Sequence, residues 1–470
     1  MFYVMFLSLV IAILGTYFVS KYVFKVDSKK LNKITSKSLK IGVVAYCFIT
    51  LFSILLPNAL NLSYSEIEIS ELGLGGLSIV KWMASLAFVV LPLAVFFKNK
   101  IIRNIAIYVC PLISIVQFFV YPDLLEVFTA SNGRGLNSLA IATDSFKLFM
   151  LNPGFRGAFF ALTLALEFTI PVVLAFQEKH MFNLKSIKEC GTTLLVLCAI
   201  LLSCIPISVP QHLFGYSNII FEAWTLPHIG WILFVVLEVV CLYFIFKKRS
   251  YEQKMIMLFA LSLSLLMQYN QMFGAISINI ERLPLQLCNV GSYLVLLTLI
   301  TKSKKLFDFA VIVNVVGVLF ALAMPDLDGK GLFYLYNMHF ILEHTNVLVV
   351  PILALLLNIF ERLDKKSLKH FFFGFLIYFG SVFVLGTIFN AIAKTTGNGF
   401  WSANYLFMFD QETAADFVPF LGKLFEFNIR VGSLTFYPLM LITVYVVFNV
   451  ICLIVFYVIQ LIYMFKCKKA

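Results

Sequence analysis

The chain has 470 residues, of which 61% are apolar and 13% charged; its formal net charge is +12 and its mean hydropathy +0.95. Soluble domains are about half apolar and a quarter charged, so a soluble enzyme, a disordered chain and a disulfide scaffold are excluded. What remains is a polytopic membrane protein, whose basic residues report orientation in the bilayer rather than nucleic-acid binding.

The opening Met1-Phe2-Tyr3-Val4 has no basic n-region and no small-residue cleavage site, so it reads as the start of a retained helix. Neither end carries a lipidation motif. A crossing helix needs roughly 17–25 apolar residues. Thirteen stretches qualify: 2–20, 40–57, 79–97, 102–121, 156–176, 192–209, 227–246, 254–272, 284–301, 306–324, 342–361, 369–393 and 434–464. The connections alternate in charge. Lys21, Lys25, Lys29, Lys30, Lys33, Lys37 and Lys40 stand on the first, while the second has Glu66, Glu68 and Glu71 and no basic residue. In all, 27 basic residues fall on the odd-numbered connections and the tail, and eight on the even-numbered ones. The expected fold is therefore an all-α multi-pass bundle of about thirteen transmembrane helices, N-terminus outside and C-terminus inside. The 51 Phe, with abundant Ile, Asn and Lys, suggest an AT-rich bacterial genome and hence a bacterial cell membrane.

The chain also repeats itself. Pro122-Asp123 ends the fourth stretch as Pro325-Asp326 ends the tenth. Lys185-Ser186-Ile187-Lys188 precedes the sixth as Lys366-Ser367-Leu368-Lys369 precedes the twelfth, and Asn218 then corresponds to Asn404. Each match shifts by six stretches, an even number, so a parallel duplication of a six-helix unit is expected. Residues 1–226 form a degenerate first copy and 227–470 the working copy: at the offset of the Pro-Asp match, Cys288 falls on Ser85.

Chemistry concentrates in the second copy. The nine Cys lie mostly in apolar runs, which argues for packing rather than disulfides. Cys288 differs in standing just after Pro284, a residue suited to a helix's first turn, about one turn below the outer surface. A thiol needs a base or a positive neighbour to become a nucleophile. His344 is expected at similar depth on another helix, with His339 five residues earlier and about 140° round that helix. Cys204 and His212 are a rival pair at one helix end. His228, at the outer start of the seventh stretch, is a candidate supporting group. Arg282 is a candidate clamp for a lipid phosphate, its alternative being a pair with Glu281. Asp326 either ends a helix or orients a His. The segment 394–433, with Trp401, Asn404 and Tyr405, is expected to form a lid or substrate wall. There is no metal-ligand spacing, phosphate loop or serine-hydrolase elbow.

Leu283-Pro284-Leu285-Gln286-Leu287-Cys288, Pro325-Asp326, the His344 helix and Ala403-Asn404-Tyr405-Leu406, in that order, resemble the YwaF family of bacterial integral membrane proteins. That family includes the eukaryotic transmembrane protein 164 lipid acyltransferases. The resemblance covers about 227–470. It implies a phospholipid acyltransferase with Cys288 as nucleophile and His344 as general base. His339 departs from it, since bacterial relatives tend to carry an amide residue there.

The expected reaction moves an acyl chain from an outer-leaflet phospholipid through a Cys288 thioester to a lysolipid or to the amino terminus of a lipoprotein. Asn289, Asn404 or a backbone N–H is expected to hold the oxyanion. No cofactor, metal or nucleic acid is expected. The alternative is a lipid or small-molecule transporter or flippase, for which Glu238, midway along the seventh stretch, is the leading residue.

Overall fold

The computed structural model describes all residues except 55–73, 123–151, 179, 181–183, 202–204, 206–208, 216–218, 276–279, 324, 326–330, 418–420 and 468–470. A helix stands on each of the thirteen apolar stretches. They are α1 (Phe2–Phe18), α2 (Ser28–Ile54), α3 (Leu74–Phe96), α4 (Lys100–Phe119), α5 (Pro153–Glu178), α6 (Leu184–Leu201) and α7 (Leu226–Phe246). Next come α8 (Tyr251–Ala275), α9 (Leu287–Thr301) and α10, the run from Lys304 to Ala323 with a π turn over Ala310–Asn314. Last are α11 (Leu335–Leu356), α12 (Lys365–Thr396) and α13 (Pro438–Cys467). Among the described residues, α1, α2, α4, α5, α7, α10, α11, α12 and α13 are long and apolar enough to cross a membrane. The chain is an all-α polytopic membrane protein.

The departures from the expected elements have physical reasons. Helix α2 begins at Ser28, twelve residues before the expected edge. Leu31, Thr35, Leu39 and Val43 recur every fourth residue and are buried, while Lys29, Lys30, Lys33, Lys37 and Lys40 face out. The first turns are thus amphipathic and escape a search for unbroken apolar runs. Helix α8 is polar for its depth because it packs against α2, α3, α6, α9 and α11, with Ser262, Ser264 and Gln268 buried. Protein surrounds it where a peripheral helix would meet lipid. An antiparallel hairpin, Ile429–Val431 with Leu434–Phe436, interrupts the all-α pattern and turns at Gly432 (φ 61°).

One end of the second half is tied by polar contacts. Lys254 Nζ donates to the Leu357 carbonyl (3.3 Å), Lys304 Nζ to Ser367 Oγ (3.1 Å) and Gln460 Nε2 to the Leu363 carbonyl (2.6 Å). This basic end gathers the starts of α8, α10 and α12 with the ends of α11 and α13.

The packing recurs six helices on. In the first half α5 packs on α1, α2, α3 and α4; in the second, α11 packs on α7, α8, α9 and α10. The pairs α2–α3, α3–α4 and α4–α6 recur as α8–α9, α9–α10 and α10–α12.

Candidate active site

Helix α9 has 15 residues and is about 22 Å long, short of the ~30 Å hydrocarbon core. It ends at Thr301 at the basic end, so its first turn lies inside the bundle. Cys288 stands thirteen residues from that end, and His344 twelve residues from Leu356 at the end of α11. Both rise about 18–20 Å above the basic end, which in a ~30 Å hydrocarbon core leaves about two helical turns above them rather than the one expected. Pro284 precedes the helix instead of opening it.

Non-helical backbone at this depth is tolerated only where protein satisfies its polar groups. Residues 280–286 meet that condition. Tyr405 Oη donates to the Ile280 carbonyl, and Tyr378 Oη to the Leu285 carbonyl at 2.5 Å. Burial, with Glu281 adding to it, pushes the Tyr405 phenol up, so its hydroxyl remains a donor. Asn314 Nδ2, at the π turn of α10, donates to the Leu287 carbonyl at 2.7 Å. Gln286, the N-cap, makes no side-chain cap bond. Its Oε1 accepts from Leu406 N (3.0 Å) and its Nε2 donates to the Asn404 carbonyl (3.4 Å). The leading N–H groups of α9 therefore remain beside Cys288, at the positive end of the helix dipole.

A cavity of about 470 Å³ opens on this first turn. Glu281, Gln286, Cys288, Asn289, Tyr336, His339, Glu343 and His344 form its polar side; α10, α12, α13 and the lid segment supply the remainder, apolar except for Thr443 and including Phe320, Phe375 and Phe448. Cys288 Sγ donates to Asn289 Oδ1 at 3.6 Å. His344 Nδ1 lies 2.6 Å from the Phe340 carbonyl. A carbonyl only accepts, so Nδ1 carries the proton and a neutral ring keeps its lone pair on Nε2. His339 Nε2 stands 3.0 Å from Glu343 Oε2, and Ser292 Oγ donates to Glu343 Oε1 at 3.1 Å. Close approach makes this possible: a Cβ on Gly291 would meet Val347 Cγ1 at 2.6 Å, and one on Gly317 would meet Leu287 Cδ2 at 2.7 Å.

The TMEM164 family matches residues 220–460, just over half of the chain. The chain belongs to the TMEM164 family. It is a membrane protein of an acyltransferase-related family, and residues 1–219 lie outside the match. No curated protein and no solved structure matches the chain.

Within this TMEM164-family half, the structure sorts the expected site residues. Cys288, Asn289, His339 and His344 share the cavity. Asn404 and Tyr405 act in the lid: Asn404 Oδ1 accepts from Phe409 N at 3.1 Å, and Tyr405 braces Ile280. His228 is buried away from the cavity lining. Its Nδ1 accepts from Trp224 N at 2.9 Å, and its ring packs against Phe221, Trp224 and Trp231. Trp231 Nε1 in turn donates to Thr345 Oγ1 at 2.9 Å, so His228 supports α11 at one remove. Asp326 lies outside the described residues, with Cys204, and so do the side chains of Arg282 and His212. Glu238 is half-buried on α7, apart from the cavity lining. The sequence reading missed Glu343, although its spacing of four from His339 places both on one helix face. Among the described residues, no group of three or more His, Cys, Asp or Glu is placed to hold a metal ion.

The expected wall takes shape as the segment from Gly397 to Tyr437. Leu406, Phe407, Ala414 and Phe425 from it line the cavity. Leu406 (φ 53°) and Phe407 (φ 57°) are both left-handed, a strained conformation for side chains of this size, held where Gln286 grips the loop.

Proposed function

We propose that this TMEM164-family protein is a membrane-embedded phospholipid acyltransferase, with Cys288 as nucleophile and His344 as general base. One observation carries the reading. A thiol at a helix N-terminus and a histidine whose Nδ1 is already committed to a carbonyl line the same largely apolar cavity.

The steps balance without a cofactor. His344 Nε2 takes the Cys288 proton as Sγ attacks the ester carbonyl carbon of a phospholipid. The tetrahedral oxyanion sits at the N–H groups of the first turn of α9. The C–O bond breaks, the lysolipid oxygen leaves with the proton from His344, and an acyl thioester remains. The acceptor, a lysolipid hydroxyl or a lipoprotein amine, then attacks the thioester carbon. His344 takes the acceptor's proton and returns it to the departing Sγ. Asn289 Oδ1 holds the thiol between turnovers, which replaces its expected oxyanion role. The Glu343–His339 contact keeps the polar side of the cavity ordered. The orientation drawn from the basic connections puts the reaction in the cell membrane, on lipid of the outer leaflet.

The test is trapping of the intermediate. Membranes carrying the protein are incubated with an alkyne-tagged phospholipid, and Cys288 is examined for a hydroxylamine-labile acyl group. The group is expected on the wild type and lost in Cys288→Ala. Acylation that persists unchanged in Cys288→Ala would overturn the reading.

A further inference from the structure

The cavity's most exposed lining residues lie on one seam. Phe320 on α10 is 36% exposed and Val447 on α13 is 37% exposed, yet both line the cavity that holds Cys288. Each thus keeps more than a third of its surface accessible while bordering the cavity, so the cavity is thinly covered between α10 and α13. The seam is at membrane depth. Val447 stands nine residues, about 14 Å, into a span that runs from Pro438 to Leu461. The outer face of α13 is apolar and exposed at Ile442, Val446 and Val450, as a lipid-facing helix should be.

Behind the seam the lining is continuous. On α13, Thr443, Val444, Val447 and Phe448 follow helical spacing and share one face turned to the cavity. Phe448 stacks between Phe320 (centroids 6.2 Å) and Phe375 of α12 (4.5 Å). One turn before Phe320, Gly317 leaves the space that Leu287 fills, and Cys288 follows Leu287. From the lipid face to the thiol, the route along α10 passes no charged side chain among the described lining residues.

We propose that the α10–α13 seam is a lateral portal through which one acyl chain of a bilayer lipid reaches Cys288, with Phe448 as its gate. The occupant follows from the surroundings. The seam opens onto hydrocarbon, its walls are apolar but for the Thr443 hydroxyl, and about 470 Å³ accommodates one chain with its ester but not a two-chain lipid. The headgroup and second chain stay in the bilayer. The fate of the chain rests on the acyl-transfer reading; its route does not.

The test uses the full chain in phosphatidylcholine vesicles containing phosphatidylcholine with a diazirine near the end of one acyl chain. After irradiation, adducts are mapped by mass spectrometry, and Cys288 acylation is measured in parallel. Wild type is expected to carry adducts at Phe320 and on the Val444–Phe448 face. Val447→Trp, which plugs the seam, should lower both adducts and Cys288 acylation tenfold or more. Phe448→Ala, which opens the gate, should raise the adducts at least twofold. Val444→Phe is the second plug should Val447→Trp misfold, judged by its unfolding midpoint. Adducts on this face without Cys288 acylation would sustain the portal and overturn the acyl-transfer reading. Cys288 acylation with adducts on the lid and none on this face would overturn the portal and leave acyl transfer standing.

Discussion

His344 is set up by one bond. With Nδ1 donating to Phe340, the ring cannot turn its other nitrogen away without losing a buried hydrogen bond, which costs about 1–3 kcal/mol. Its ring also packs on that of Phe340, with centroids 4.2 Å apart. His344→Ala should therefore slow thioester formation by about 10²–10⁴-fold, the usual contribution of a positioned general base, while Cys288 stays alkylatable. Acyl-trapping rates check this, and a loss below threefold would remove His344 from the chemistry. Asn289 works the other way. Its Oδ1 accepts the thiol's hydrogen bond across 3.6 Å from Sγ, so Asn289→Ala should leave Cys288 freer to react, measured as faster alkylation of membranes by N-ethylmaleimide.

At the scale of elements, the site depends on how α9 starts. Gln286 leaves its own helix uncapped and pins Leu406 N and the Asn404 carbonyl instead. Gln286→Ala should release the strained Leu406–Phe407 turn, seen as faster hydrogen exchange or proteolysis across 397–437 with the unfolding midpoint changed little. The opposite end has its own control. Asp364 caps α12, accepting from Lys366 N (2.9 Å) and Ser367 N (3.0 Å) in a reciprocal capping box. The Ser367 N–H chiefly holds this carboxyl below its ordinary value of 3.8. A depressed carboxyl stabilises the fold above the ordinary value, and that contribution fades as pH falls through the folded one. Asp364→Ala should cost about 1 kcal/mol at neutral pH and progressively less below about pH 4, read from unfolding midpoints in detergent. Much of this architecture was legible in advance, because each of α1 to α13 sits on an apolar run and Cys288 and His344 are polar groups within such runs. The interior start of α9 was not. Leu283, Pro284 and Leu285 are as apolar as a helix, and hydropathy cannot distinguish extended from helical backbone. The groups that make the break tolerable, Asn314, Tyr378 and Tyr405, come from 27 to 125 residues away in sequence.

For the whole molecule, the recurrence of packing six helices on extends to individual side chains. Helices α4 and α10 both open with a capping side chain (Asn99, Ser303), then a lysine (Lys100, Lys304), then a polar residue four further on (Asn104, Asp308). Asn104 Nδ2 donates to Ser186 Oγ at 2.8 Å across to α6, as Lys304 does to Ser367 across to α12 while pairing with Asp308. Tyr46 and Tyr269 each stand eighteen residues into α2 and α8. Tyr46 Oη donates to Glu167 on α5 (3.3 Å), which also accepts from Gln117 Nε2 (3.0 Å); the Tyr269 ring lies 5.9 Å from that of His339, the partner of Glu343 on α11. A duplicated unit would account for both clusters, and of the two acids it is Glu343 that has histidines, His339 and His344, beside it. The two acids should then respond differently. Glu167 meets neutral donors, Tyr46 and Gln117, so an amide in its place keeps a comparable set of hydrogen bonds. Glu343 meets His339 with one oxygen and Ser292 with the other, and Glu343→Gln turns one of these two acceptors into a donor on the wall of the Cys288 cavity. Glu167→Gln should leave Cys288 acylation within twofold of wild type, whereas Glu343→Gln should lower it at least tenfold with the unfolding midpoint little changed. Equal losses in both variants, each still folded, would mean that the first half takes part in the reaction and is more than a scaffold for the second.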